Sequence, residues 1–166
     1  GCGRSGNPHG VLARGRAIGG SALVLAGNGA EDIHITTLEL SEERAKTAKA
    51  YIDRSPYSAQ IEILQGDAGE ILTQLQGTYD FVFIDAAKGQ YVDYFHKIQP
   101  LLAPKCTIVA DNVLFRGYVR SEEKAPRRYR TIVKRLREYI ALTSGAEGFT
   151  TEILENGDGL AVSRRN

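Results

Sequence analysis

The sequence predicts an α/β fold: a Rossmann-like, doubly wound sheet, mostly parallel, closed by an antiparallel C-terminal hairpin. Short apolar runs alternate with helix-period segments, which is the pattern of repeated βαβ units. Two runs, Phe81-Val82-Phe83-Ile84 and, after Thr107, Ile108-Val109-Ala110, are continuously apolar, as buried parallel strands are. Near the end, Phe149–Leu154 and Leu160–Ser163 flank Gly157-Asp158-Gly159, a hairpin signal that places an antiparallel strand at or near one edge.

The elements follow in order. Residues 1–10 are Gly-rich, without period, and are expected to be irregular. Val11–Arg14 reads as a short strand and Ser21–Gly27 as a short helix ending at Gly27-Asn28-Gly29. Ile33–Glu39 is a strand. Ser41 caps the next helix, with Arg44 where a capping box would carry Glu, and that helix runs to about Arg54. Gln60–Leu64 is a strand, followed by Gly66-Asp67-Ala68 and a short helix to about Leu75. Tyr79–Asp85 is the fourth strand. Gln90–Leu102 is a helix that buries Tyr91, Tyr94, Phe95, Ile98 and Leu101. Lys105–Ala110 is the fifth strand. Pro126 suits a helix start, and Tyr129, Ile132, Val133, Leu136, Tyr139 and Ile140 form one apolar stripe that stops near Gly145. Residues 11–166 thus read as one domain.

Size and composition fit a single globular core. The chain has 166 residues, 42% hydrophobic and 25% charged. It has no apolar run of about 18 residues, so no membrane span is expected. The N-terminus lacks the apolar centre of a signal peptide. Cys2 and Cys106 fit no metal spacing, and Cys106 falls in an apolar strand; a reducing cytoplasm is the simple expectation. Nine cations lie between Arg116 and Arg137, opposed by Glu122 and Glu123. A solvated face and an electrostatic footprint for nucleic acid or another polyanion both fit them.

Ligands in open α/β sheets bind beyond the carboxyl ends of the strands. Asp85 with Lys88, and Asp111 with Asn112, follow two adjacent buried runs, so the four should face one crevice. Three oxygen donors and an amine there suit a divalent cation beside a general base. A structural Asp85–Lys88 ion pair is the competing reading, and Asp111-Asn112 weighs against it. Gly15-Arg16-Ala17-Ile18-Gly19 lies between the first strand and first helix, where small residues let a ligand approach the backbone, although a tight turn uses them equally. Glu39 ends the following strand, where an acid can accept hydrogen bonds from both ribose hydroxyls. Asp67 can accept from an adenine amino group, cap its helix, or do both.

The runs Phe83-Ile84-Asp85-Ala86-Ala87-Lys88-Gly89-Gln90-Tyr91, Val109-Ala110-Asp111-Asn112-Val113-Leu114-Phe115-Arg116-Gly117 and Gly157-Asp158-Gly159-Leu160-Ala161-Val162-Ser163 resemble, in order and separation, the cation-dependent class I S-adenosylmethionine-dependent O-methyltransferases. That group contains catechol and caffeoyl-CoA methyltransferases and bacterial relatives that include wobble-uridine methyltransferases. The resemblance implies seven strands in the order 3-2-1-4-5-7-6. It implies Asp85, Asp111 and Asn112 as ligands of Mg²⁺ or another divalent cation such as Mn²⁺ or Ca²⁺, and Lys88 as the base. It places Gly15, Ala17, Gly19 and Ser21 around the methionine part of the cofactor, Glu39 at the ribose, Asp67 and Ala68 at the adenine, and Asp85 on the cofactor side too. It implies a hydroxylated substrate, either a catechol-like phenol or 5-hydroxyuridine in a tRNA anticodon, with Arg116–Arg137 against phosphates in the second case. Two departures stand out. Ala13 and Arg14 occupy positions that are usually acidic and apolar, and the two helices that usually precede the first strand, and often build a homodimer, have no counterpart in residues 1–10. A non-catalytic cofactor- or RNA-binding module with a degraded cofactor loop is the rival expectation.

Overall fold

The computed structural model describes residues 10–14, 33–85, 88–155 and 159–165. The expected loop carrying Gly15, Ala17, Gly19 and Ser21, and the helix after it, lie outside the described residues. Strands β1 (Gly10–Arg14), β2 (His34–Glu39), β3 (Ile61–Gln65), β4 (Tyr79–Ile84), β5 (Leu102–Asp111), β6 (Thr150–Leu154) and β7 (Leu160–Arg165) form one sheet in the order β3-β2-β1-β4-β5-β7-β6. The first five run parallel and β7 is antiparallel to both β5 and β6. Among the described residues four α-helices accompany them: α1 (Glu42–Asp53), α2 (Ala68–Gln74), α3 (Tyr91–Ile98) and α4 (Arg130–Thr143). Among the described residues no helix is long and apolar enough to cross a membrane.

The two-residue alternation of the strands divides the core between two faces. Leu12, Val82, Ile84, Ile108 and Ala110 pack against α2, α3 and α4. Val11, Ile35 and Ile61 pack with Ile52 of α1. On the larger face Phe95 meets Tyr139 and Phe149 edge-on, at centroid distances of 6.2 and 5.6 Å. A buried Tyr79 hydroxyl donates to Thr36 Oγ1 at 3.2 Å, which satisfies a polar pair inside the sheet.

Three boundaries move by three residues or more from the sequence reading. α3 stops at Ile98 rather than reaching Leu102, because Pro100 has no N–H for a further helical bond; Gln99–Leu101 close as a 3₁₀ turn. β5 begins at Leu102, three residues earlier than expected. Pro104 cannot donate there, and Arg165 supplies the missing partners from β7, donating to the carbonyls of Ala103 (2.9 Å) and Pro104 (3.0 Å). α4 begins at Arg130 rather than Pro126. Pro126 is extended at ψ 145°, and Arg127–Tyr129 form a 3₁₀ turn closed by Tyr129 N–H to the Pro126 carbonyl. Tyr129 therefore leaves the apolar stripe of the helix. Ser41 caps α1 as expected, its Oγ accepting from Arg44 N–H at 3.2 Å.

Candidate active site

The sheet topology brings the carboxyl ends of β1 to β5 to one edge. Ile84 and Ala110 are the last register partners of β4 and β5, where adjacent backbones run about 4.8 Å apart, and Asp85 and Asp111 follow them directly. By alternation Glu39, Asp85 and Asp111 share the face of the sheet that carries Val11 and Ile35. All three are half-buried. Lys88 opens the 3₁₀ turn Lys88–Gln90 before α3; its side chain lies outside the described atoms.

The turn after Asp111 is strongly bent. Asn112, Phe115, Arg116 and Gly117 have φ of 59°, 45°, 57° and 82°. The left-handed region is uncommon outside glycine, and each non-glycine residue there costs on the order of 1 kcal/mol, so Asn112, Phe115 and Arg116 need support from their surroundings. Some of that support is visible. Asn112 N–H donates to Asp111 Oδ1 at 2.8 Å, Tyr91 Oη donates to the Asp111 carbonyl at 2.5 Å, and Val113 N–H donates to the Gly159 carbonyl at 3.3 Å. Gly159 has φ 87°, and a Cβ there would lie 2.5 Å from Leu114 Cγ. Gly159→Ala is expected to lose about 2 kcal/mol or more of stability from the strained φ and the overlap together, read as a lower urea midpoint.

The β2 and β3 ends are pinned together, since Gly66 N–H donates to the Glu39 carbonyl at 2.9 Å. Glu39 Oε1 accepts from Ser41 N–H at 3.3 Å and lies 3.6 Å from the Arg44 guanidinium. The helix cap and the putting-in-place of the acid are thus one local arrangement. Asp67 Oδ1 caps α2 through Glu70 N–H at 3.0 Å, and Ala68 is buried behind it. Lys97 lies beside this turn, its ammonium held above the ordinary value by the Asp93 hydrogen bond, against desolvation, with Asp67 adding to the push.

Beyond Asn112 an aromatic cluster carries cations. Phe115 and Tyr129 meet edge-on at 5.1 Å, with Tyr118 6.0 Å from Tyr129. Arg116 and Arg128 lie over the Tyr129 ring at 5.4 and 4.7 Å, and Arg116 also donates to the Tyr129 hydroxyl at 3.1 Å. The remaining basic run is partly committed within the chain. Arg137 donates to the carbonyls of Tyr118, Val119 and Ser121, Arg130 to that of Ala125, Arg120 pairs with Glu155 and Arg135 with Glu138. Lys124, Arg127 and Lys134 are exposed.

Sequence reasoning missed the local roles of Tyr91, Gly159 and Tyr129. Tyr91 and Tyr129 read as core positions, and Gly159 as a hairpin turn. The Phe115-Arg116 and Arg128-Tyr129 pairs were the available signal for the cluster, but only folding brings them together. His34 and His96 are exposed, and Cys106 is buried, with desolvation pushing its thiol up against the opposing Arg165 charge.

The donor chemistry at the β4 and β5 ends fits a hard divalent cation. Mg²⁺-type sites use one or two carboxylates and leave positions for water and substrate oxygens. Among the described residues no group of three His, Cys, Asp or Glu side chains forms a metal cluster; the set here is two carboxylates and an amide.

Comparison with known proteins agrees with this architecture. The O-methyltransferase family model matches residues 6–166. A catechol O-methyltransferase of Niastella koreensis is 36% identical over 116 residues, 68% of this chain and 52% of its own length. Caffeoyl-CoA O-methyltransferase 5 of Nicotiana tabacum is 31% identical over 146 residues, 81% of this chain and 60% of its own length. The chain thus spans between half and three-fifths of these curated relatives. The crystal structure of an O-methyltransferase from Bacillus cereus in complex with S-adenosylhomocysteine superposes with a TM-score of 0.84 at 26% identity, covering 96% of this chain and 74% of that one. With the family model matching nearly the whole sequence and the predicted strand order in place, the chain belongs to the O-methyltransferase family.

Proposed function

We propose that this chain transfers a methyl group from S-adenosylmethionine to a hydroxyl that has a second oxygen beside it, on a planar substrate held by a divalent cation at Asp85, Asp111 and Asn112. The observation that carries the reading is that Asp85 and Asp111 directly follow the last paired residues of two adjacent parallel strands, with Asn112 next in a left-handed turn. When bound, S-adenosylmethionine supplies the methyl group and the cation withdraws charge from the substrate oxygens.

The chain's own residues do the rest. Asp85, Asp111 and Asn112 hold the substrate end in line with the cofactor, which converts an encounter into an oriented reaction. Glu39 accepts from the ribose hydroxyls, and Asp67, next to Ala68, accepts from the adenine amino group. Gly15, Ala17, Gly19 and Ser21 line the methionine end, and Asp85 stands between cofactor and substrate. Lys88 takes the hydroxyl proton at Nζ. The Bacillus cereus complex and the catechol and caffeoyl-CoA relatives support the cofactor and a phenolic substrate. Phe115, Tyr118 and Tyr129, with Arg116 and Arg128, suit a planar ring attached to anionic groups. A homodimer and a cytoplasmic location belong to the same proposal.

A second substrate reading, 5-hydroxyuridine in a tRNA anticodon, is favoured by exposed Lys124, Arg127 and Lys134 beside that cluster. Methyl transfer is measured with catechol, with unmodified tRNA and with 5-hydroxyuridine tRNA, each with and without chelator. Chelator-sensitive turnover of catechol alone assigns the phenol; turnover of hydroxylated but not unmodified tRNA, weakening with added salt, assigns the RNA. Undiminished turnover in chelator overturns the cation. Calorimetric titration with S-adenosylhomocysteine addresses the non-catalytic module: no heat at high protein concentration would establish it over the enzyme.

A further inference from the structure

We propose that Tyr91 is a positioning residue for the Asp111–Asn112 turn, coupling the segment that carries Asp85 and Lys88 to the strand end that carries the other two oxygen donors. The functional consequence rests on the cation reading above; the structural role does not.

Tyr91 is the first residue of α3, three positions after Lys88, and it is fully buried. Its hydroxyl donates to the Asp111 main-chain carbonyl at 2.5 Å. That carbonyl and the Asn112 N–H belong to one planar peptide unit. The N–H end of the same unit donates to Asp111 Oδ1 at 2.8 Å. Holding the carbonyl end therefore fixes the plane, the plane fixes the N–H, and the N–H fixes one oxygen of the carboxylate. The orientation of the second oxygen, and the direction in which the chain leaves toward Asn112 at φ 59°, follow from the same plane.

Tyr139 provides the internal contrast. It is also fully buried and meets Tyr91 edge-on at 5.6 Å and 64°, yet its hydroxyl has no hydrogen-bond partner among the described residues. Two neighbouring tyrosines thus share packing and burial, and differ in whether the hydroxyl reaches the strand end. A purely structural tyrosine pair would respond alike to loss of either hydroxyl.

The test compares Tyr91→Phe and Tyr139→Phe, which both keep the ring. In metal-free protein, amide exchange at Asn112 and Val113 is expected to accelerate about tenfold in Tyr91→Phe, as for loss of one restraining hydrogen bond, and to stay at the wild-type rate in Tyr139→Phe. In a Mn²⁺ titration followed by electron paramagnetic resonance, Tyr91→Phe is expected to bind about tenfold more weakly, the lower end of what partners behind metal ligands contribute. S-adenosylhomocysteine affinity should stay at the wild-type value in both variants. Exchange and Mn²⁺ affinity unchanged in Tyr91→Phe overturn the proposal, and so does an equal loss in Tyr139→Phe. If wild-type protein takes up no Mn²⁺, the cation reading fails, and the exchange measurement still decides the role of Tyr91.

Discussion

Asp111→Ala is expected to lower methyl transfer by two orders of magnitude or more while S-adenosylhomocysteine binds about as tightly as to the wild type. The magnitude follows from removing one of two carboxylates at the proposed cation site, where charge stabilisation contributes several kcal/mol to the transition state and each 1.4 kcal/mol is about tenfold in rate. The selectivity follows from the topology. Glu39 and Asp67 stand at the ends of β2 and β3, on the far side of β1 and β4 from Asp111. Losing the Asp111 carboxylate also removes the acceptor of the Asn112 N–H, so the third donor is displaced with it. Turnover and calorimetry on the same variant separate the two effects. Full turnover in the presence of Mg²⁺ would overturn the assignment of Asp111, and equal loss of cofactor binding would mark a folding defect instead.

Phe95→Ala should produce the largest loss of stability from a single core change, about 3–5 kcal/mol. Phe95 is 2% exposed and joins α3 to α4 and to the start of β6 through its edge-on contacts with Tyr139 and Phe149. Aromatic pairs of this kind add about 0.5–1.5 kcal/mol beyond burial, and removing the ring leaves a cavity in the core. Against a total stability of about 5–15 kcal/mol, such a loss removes a large share. Urea unfolding should show a lower midpoint at unchanged slope. A change below about 1 kcal/mol would mean that α3 is not anchored through this ring. Because Tyr91 shares α3 with Phe95, partial loosening of the helix should also reach the Asp111 turn.

Much of the fold was legible from the sequence, for reasons that can be named. β4 and the second half of β5 are apolar runs bounded by polar residues; Val82, Ile84, Ile108 and Ala110 are buried, and Phe81, Phe83 and Val109 on the other face are half-buried. Ser41 and Asp67 precede helices at the capping position, and both cap through their side chains. The boundaries that moved did so through single chemical groups. Pro100 ended α3 early, and Pro126, extended rather than helical, delayed α4 until Arg130. The early start of β5 was not legible, because the groups that complete it come from Arg165, 62 positions away from Ala103.

The sequence by itself determined which residues are available for chemistry and in what order. Asp85, Lys88, Asp111 and Asn112 follow apolar runs, and a strand that ends in a polar residue delivers it to the sheet edge whatever the rest of the chain does. The tertiary structure alone decided which of those edges are neighbours and in what register. It set Asp85 and Asp111 directly after paired residues of neighbouring strands, turned Tyr91 from a core position into the donor that meets Asp111, and carried Gly159 against Leu114. It also committed much of the basic run to the chain's own carbonyls and carboxylates. The physical reason is range. Periodicity and capping act within a few residues, whereas the register of a parallel sheet and the reach of a buried hydroxyl depend on packing between segments tens of residues apart.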